Sequence, residues 1–307
     1  MVNPKEVAVI GLGPSGVSAA IYLKRYGMIP FCFEKEIVGG KINKTQRIEN
    51  YAGVKPVSGP DLGMLLEDQL GGFGISPIYE EVSSLIKNED GTYTLTYGEQ
   101  THTFAYVILA NGLGEKPFPI EGASLFHNRG ISRCAICDGA FYQGKPVAVI
   151  GAGNAAFEEG TYLAGICSHV TLIARRTAFR ADELAVERFK ALGNTTILAP
   201  YDVVKACGKD SLESVTVRNK DDSSEKTIPV SALFLYVGEV PTTGFIRIPD
   251  LAMVNGYIVT DSRLETNQKH LYAAGDARNT PLRQVATATS DGALAATSVH
   301  DDYEKTL

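Results

Sequence analysis

Val7-Ala8-Val9-Ile10 is an unbroken apolar run, the pattern of a strand buried on both faces. Gly11-Leu12-Gly13-Pro14-Ser15-Gly16 breaks it as a turn. Apolar residues at helical spacing (Val17, Ala20, Ile21) then predict a helix over 17–26, which Gly27 stops. Pro30-Phe31-Cys32-Phe33 reads as the next strand, ending at Glu34. The same order returns later in the chain. Pro146-Val147-Ala148-Val149-Ile150 is a strand, Gly151-Ala152-Gly153-Asn154-Ala155-Ala156 a turn, and 157–165 a helix. His169-Val170-Thr171-Leu172-Ile173 is the following strand, ending at Ala174-Arg175-Arg176. A repeated strand–turn–helix–strand unit predicts an α/β chain with two Rossmann-like nucleotide-binding domains of three-layer ββα design.

A hairpin pattern accompanies each unit. Tyr93-Thr94-Leu95-Thr96-Tyr97 and His102-Thr103-Phe104 read as antiparallel strands around Gly98-Glu99-Gln100, and 106–110 as a buried strand closed by Asn111-Gly112. After the second unit, 212–217 and 226–228 flank a polar turn at Asp221-Asp222-Ser223-Ser224, and 232–238 mirrors the strand that ends at Gly112. Leu271-Tyr272-Ala273-Ala274-Gly275-Asp276 reads as a strand ending on an acid, with a helix over 284–299. That strand completes the first sheet, so the first domain is expected to be discontinuous, 1–112 with 245–307, and the second to span 115–240.

Composition narrows the class. The 307 residues suffice for two cores. A net charge of −6, from 29 basic and 35 acidic residues, lacks the basic footprint that nucleic acid requires and gives no attraction to an anionic membrane. No apolar run reaches transmembrane length, and Met1-Val2-Asn3-Pro4-Lys5-Glu6 is not a charged-then-apolar leader, so a cytoplasmic protein is expected. Of five cysteines, Cys32, Cys167 and Cys207 lie in apolar settings and are expected to be inert core thiols. With one close pair left, a secreted disulfide scaffold is not expected.

Gly11, Gly13 and Gly16 have the spacing of a dinucleotide turn: one for the bend, one for close approach of a pyrophosphate, one for packing of helix on strand. Glu34, eighteen residues after Gly16, is placed to bind ribose hydroxyls and to repel a 2′-phosphate. Such spacing alone also fits a structural turn; the strand before it, the helix after it and the acid beyond favour the nucleotide. The second turn ends in Ala156, an accepted variant, and the next strand ends on Arg175 and Arg176, with Arg180 following. Guanidinium groups there suit a 2′-phosphate, although a solvated basic turn would look the same. The first site therefore fits FAD and the second NADPH.

Cys134-Ala135-Ile136-Cys137 is followed at once by Asp138. Two thiols at this spacing can close and reopen a small disulfide ring, and the adjacent acid can carry the proton. A half zinc site would need a second ligand pair, and the nearest histidine, His127, is isolated. Two structural thiols are the other alternative. Position between two nucleotide turns favours redox exchange. His102, His169, His270 and His300 read as surface or packing residues.

With these motifs in order, the chain resembles the low-molecular-weight, bacterial-type thioredoxin reductases over nearly its full length. The likeness rests on Gly11 to Gly16, Gly39-Gly40-Lys41, Glu49-Asn50-Tyr51-Ala52-Gly53, Cys134 to Gly139, Gly151 to Glu159, Arg175-Arg176 through Phe179-Arg180-Ala181, and Ala274-Gly275-Asp276 through Pro281-Leu282-Arg283-Gln284. The resemblance implies FAD held by Gly11, Gly13, Pro14, Ser15, Gly16, Glu34, Lys35, Gly40, Lys41, Asn50, Val82, Asp276, Arg283, Gln284 and Val285. It implies NADPH on Gly151, Gly153, Asn154, Ala155, Ala156, Arg175, Arg176 and Arg180. Cys137 would be the thiol nearest the flavin, Cys134 the interchange thiol that attacks thioredoxin, and Asp138 the acid/base. It also implies a homodimer whose nucleotide domain turns between two positions.

Three departures stand out: Ala174 where the family has His, Lys41 where it has Gln, and Asn111 where it has Thr. The alternative is a related flavoprotein with another donor, NADH or ferredoxin, or another dithiol partner. Ferredoxin-fed relatives generally lose the second glycine turn and the arginines, which this chain keeps. A flavoprotein of the alkyl-hydroperoxide-reductase kind would carry a dithiol domain before Val7, and a ferredoxin–NADP reductase would lack the cysteine pair.

Overall fold

Every residue from Val7 to Ile10 is buried in β1 (Glu6–Ile10), as its continuous apolar run requires. The computed structural model describes residues 2–45, 47–116, 119–127 and 129–306. They form two compact units: Met1–Asn43, Arg47–Gly114 and Glu239–Leu307 in the first, Lys44–Gln46 and Glu115–Gly238 in the second.

In unit 1, β1 leads to α1 (Pro14–Arg25), β2 (Ile29–Phe33) and α2 (Gly59–Gly72). An antiparallel sheet of β3 (Val82–Lys87), β4 (Tyr93–Tyr97) and β5 (Gln100–Phe104) follows, then β6 (Tyr106–Leu109) and β7 (Leu113–Glu115), at whose last residue the chain passes into unit 2. Unit 2 contains β8 (Ile131–Ser132), α3 (Ala135–Asp138), β9 (Pro146–Ile150), α4 (Asn154–Ala164), β10 (His169–Ile173), α5 (Glu183–Lys190) and β11 (Thr195–Leu198). It continues through β12 (Tyr201–Gly208), β13 (Leu212–Asn219), β14 (Glu225–Pro229) and β15 (Ala232–Leu235). The chain re-enters unit 1 at β16 (Glu239–Pro241), passes β17 (Met253–Val254) and β18 (Tyr257–Ile258), and ends with β19 (Leu271–Ala273) and α6 (Val285–Glu304).

Alternation along the central strands builds three layers in each unit. The parallel sheet of unit 1 has the order β19-β6-β1-β2. Val7 and Val9 pack with Leu23, Leu66 and Val299 of the helices, whereas Ala8 and Ile10 pack with Leu85, Tyr93 and Phe104 of the antiparallel sheet. Unit 2 repeats the plan around β11-β10-β9-β15-β8. Val147 and Val149 meet Phe157, Leu163 and Phe189; Ala148 and Ile150 meet Val203, Val215 and Val217. The strand at 271–273 does lie in the first sheet, beside β6.

Packing moves several element ends from their sequence-based positions. α1 starts at Pro14 rather than Val17, because proline's fixed φ suits a first helical residue. α6 runs past 299 to Glu304, since Tyr303 still buries itself beside Val299 and Ala296. The strand expected to reach Asp276 ends at Ala273, and Gly275–Ala277 forms a 3-10 turn. The strand expected over 232–238 ends at Leu235. Cys32 and Cys167 are buried, and burial pushes their thiols up to about 12 and about 11, as inert core thiols should behave. Cys207 is not a core thiol: it sits half-exposed on β12.

Candidate active site

The first glycine turn is shaped by backbone contact. Gly11 adopts φ +94°, and a Cβ on Gly16 would lie 1.8 Å from the Gly11 carbonyl oxygen. Over Gly13, which caps α1 without a side chain, a Cβ would find only Gly39 O at 3.8 Å. The helix start thus presents unobstructed amides to an incoming phosphate. Gly16→Ala should cost about 1–3 kcal/mol through forced backbone displacement. It should also release flavin on gel filtration. Gly71→Ala, a helical site with nothing within 4 Å, should leave both stability and flavin content intact.

Glu34 is buried beside this turn. Its Oε2 accepts the Leu12 N–H at 2.8 Å and its Oε1 the Glu36 N–H at 3.0 Å. Both bonds fix the carboxylate, and each oxygen retains a lone pair for a ribose hydroxyl. Pro14 and Ser15 open α1, with Ser15 buried. Gly40 takes φ +55° next to Lys41. Val82 is buried at the start of β3, while Lys35 is exposed, pairing with Glu36 at 3.9 Å and Glu81 at 4.0 Å.

The other residues that the resemblance assigns to flavin cluster around Asp276, all within unit 1. Burial raises the Asp276 carboxyl above the usual range, Lys41 and Arg283 pull it down, and Glu239 and Asp291 oppose them. Lys41 is ion-paired with Glu239. The turn carrying Asp276 is anchored by Asp291, which accepts the Gly275 N–H at 3.0 Å and a two-point bond from Arg278 at 2.6 and 3.0 Å. Asn50 donates to Gln284 Oε1 at 3.1 Å, and Gln284 caps α6 by a reciprocal bond with Thr287. Val285 is the first residue of α6. Arg283 lies over the Tyr257 ring at 4.3 Å, and its buried Nε has no hydrogen-bond partner among the described residues. An orphaned buried donor beside a glycine cradle and a fixed acid is what a flavin dinucleotide would complete, so these residues fit FAD.

In unit 2, Gly151 and Gly153 precede α4, with Ala155 exposed and Ala156 buried against the sheet. A Cβ on Gly151 would meet the Ala156 Cβ at 2.6 Å, and nothing lies within 4 Å of a Cβ on Gly153. Asn154 is engaged with Asp182: its Nδ2 donates to Oδ2 at 2.8 Å, and its Oδ1 accepts the Asp182 N–H at 2.7 Å. This pair ties the start of α4 to the cap of α5. Arg175, Arg176 and Arg180 are exposed, and the Arg180 N–H donates to Ala152 O at 2.7 Å, bringing that arginine back to the glycine turn.

Cys134 and Cys137 are joined in a disulfide at the start of α3. Cys134 Sγ accepts the Cys137 N–H at 3.2 Å. Cys137 is exposed and Cys134 half-buried. Ser132 links the acid to the pair: its hydroxyl donates to Asp138 Oδ2 at 2.6 Å and accepts the Cys134 N–H at 3.1 Å. The Tyr236 hydroxyl accepts the Ala135 N–H at 3.1 Å; burial, then Glu159 and Asp138, raises that phenol far above its normal range. Phe141, three residues past Asp138, is 73% exposed. Among the described residues there is no group of three or more His, Cys, Asp or Glu that could hold a metal ion.

This combination defines a class: a pyridine nucleotide-disulphide oxidoreductase, whose family description matches residues 5–292. The chain belongs to that family. It is 38% identical to a thioredoxin reductase of Mycoplasma genitalium, over 97% of this chain and 95% of the relative. The crystal structure of Lactococcus lactis thioredoxin reductase superposes with a TM-score of 0.94 at 30% identity, over 98% of this chain and 99% of that one. The structure of T. acidophilum thioredoxin reductase gives 0.91 at 29% identity, over 97% and 99%. The chain is an oxidoreductase enzyme of the bacterial thioredoxin reductase type.

Sequence reasoning did not single out Ser132, Tyr236, Phe141 or Glu239. Ser132 stands two residues before the pair, and Phe141 is an aromatic in the small-residue stretch after it; both were within reach of a local reading. Tyr236 and Glu239 become partners only through the fold.

Proposed function

We propose that this enzyme reduces the disulfide of thioredoxin with electrons from NADPH, using resident FAD. The carrying observation is the Cys134–Cys137 disulfide with Asp138 held by Ser132, in the unit that also bears the second glycine turn and the exposed arginines. FAD, when bound, accepts a hydride and passes an electron pair to a disulfide. In unit 1, Glu34 would hold the adenosine ribose, the α1 amides the pyrophosphate, and Asp276, Arg283 and Gln284 the remainder.

Once the Cys134–Cys137 bridge is reduced, the Cys134 thiolate attacks one sulfur of the partner's disulfide. A mixed S–S bond forms as the partner's S–S bond breaks. Cys137 then attacks Cys134 Sγ, restores the internal bridge and releases the partner as a dithiol. In the oxidised pair Cys134 Sγ accepts the Cys137 N–H, a donor that a thiolate at that sulfur would keep. Asp138, positioned by Ser132, supplies the proton that the departing sulfur takes up.

Phe141 offers an apolar contact beside the reacting sulfurs. Phe141→Ser should raise the KM for thioredoxin by about tenfold, the effect of losing one modest interface anchor, with the KM for NADPH unchanged. Two copies pair in this reading, supported by the exposed Met64 and Leu65 on α2; sedimentation of the holoenzyme at the mass of one chain would count against it. Cytoplasmic residence belongs to this reading, supported by a cysteine usage of one close pair and three unpaired thiols. Among the described residues no helix is long and apolar enough to cross a membrane. The test of the reaction is anaerobic mixing with NADPH, NADH or reduced ferredoxin. NADPH should bleach the flavin band fastest, and added thioredoxin should restore it. Faster bleaching by ferredoxin would overturn the donor assignment.

A further inference from the structure

Ala174 is buried at the end of β10, and its methyl group places nothing polar at the strand end. A carboxylate reaches the same place from another strand. The Ala174 N–H donates to Leu198 O at 3.0 Å, and the Tyr201 N–H donates to Ala174 O at 2.8 Å, so the start of β12 is pinned against the end of β10. The next residue is Asp202. Its Oδ1 lies 3.9 Å from Arg175 Nε and its Oδ2 3.3 Å from Lys220 Nζ. Arg218, opposite Asp202 on β13, is already bonded to Glu225 at 2.8 Å. Arg175, at the end of the strand that follows the nucleotide turn, thus shares a carboxylate with Lys220.

We propose that Asp202 is a specificity-determining residue that weakens the preference of this enzyme for a 2′-phosphorylated adenine nucleotide. The proposal rests on reading Arg175, Arg176 and Arg180 as the 2′-phosphate site. A phosphate arriving at Arg175 meets a guanidinium shared with a carboxylate, and the carboxylate repels it. At 3.9 Å Asp202 makes no directed hydrogen bond that would orient Arg175, so what it contributes there is its charge. Repulsion therefore outweighs orientation. A 2′-hydroxyl carries no charge and does not encounter this penalty, so the acid narrows the gap between the two nucleotides.

The experiment is calorimetric titration of the FAD-loaded enzyme with adenosine 2′,5′-bisphosphate and with 5′-AMP, which bind without chemistry. Asp202→Asn should tighten the bisphosphate about three- to tenfold, as expected for a partly screened charge at this range. Its affinity for 5′-AMP should not move, and Asp202→Ser should do the same. Arg175→Ala should weaken the bisphosphate alone. If Arg175→Ala does so but the Asp202 variants leave the bisphosphate unchanged or weaker, the role given to Asp202 is wrong and the phosphate site stands. If the wild-type enzyme binds both probes equally and Arg175→Ala changes neither, the phosphate site itself is wrong, and this inference goes with it.

Discussion

Cys134→Ser and Cys137→Ser each abolish thioredoxin reduction, by at least about a thousandfold, the scale on which loss of a reacting nucleophile acts. Both variants should keep their yellow colour, because the residues proposed to bind flavin all lie in unit 1 and the dithiol in unit 2. The two differ in what they trap. In Cys137→Ser the second thiol of the pair is lost, and Cys134 should enter a mixed disulfide with thioredoxin, captured by acid quenching before the partner's own released thiol reverses it. Trapping by the Cys134→Ser variant instead would reverse the roles. Exposure favours Cys137 as the attacking sulfur, whereas the hydrogen bond to Cys134 Sγ favours Cys134. Family resemblance gives the attack to Cys134, and the trapping experiment decides between the two sulfurs.

The second large effect concerns the donor. Replacing both Arg175 and Arg176 with Ala raises the KM for NADPH by about 10- to 100-fold, the loss of one or two charge-assisted hydrogen bonds. The KM for NADH changes little, since its ribose offers neither arginine a phosphate. Steady-state kinetics with both nucleotides decides it, and an equal rise for both would show that these side chains do not read the 2′-phosphate. Both arginines are exposed, so their replacement leaves the core of unit 2 untouched.

What was legible in the sequence is what is local in it. The glycine turns, the strands that feed them and the Cys134–Cys137 spacing each occupy a few consecutive residues, and their geometry follows from backbone sterics and periodicity. Partnerships across long separations were not legible. Tyr236 meets the Ala135 amide, and Glu239 meets Lys41, only because the sheets bring them together. Asn154 is a further case: the pairing of its side chain with Asp182, on the next helix cap, could not be read from its own neighbours. Helix ends shifted for the same reason, as with Tyr303, whose burial extends α6 beyond its apparent stop. Cys207 looked like a core thiol from its apolar neighbours, but β12 turns it partly outward.

The central claim is that a flavin and an internal disulfide form one electron store. Anaerobic titration of the purified holoenzyme with dithionite measures it directly, because the ring and the Cys134–Cys137 bridge each take up one electron pair. Uptake of two pairs per flavin, falling to one in Cys134→Ser, is the predicted result. A wild-type enzyme that accepted a single pair, with its disulfide still intact by thiol counting, would contradict it.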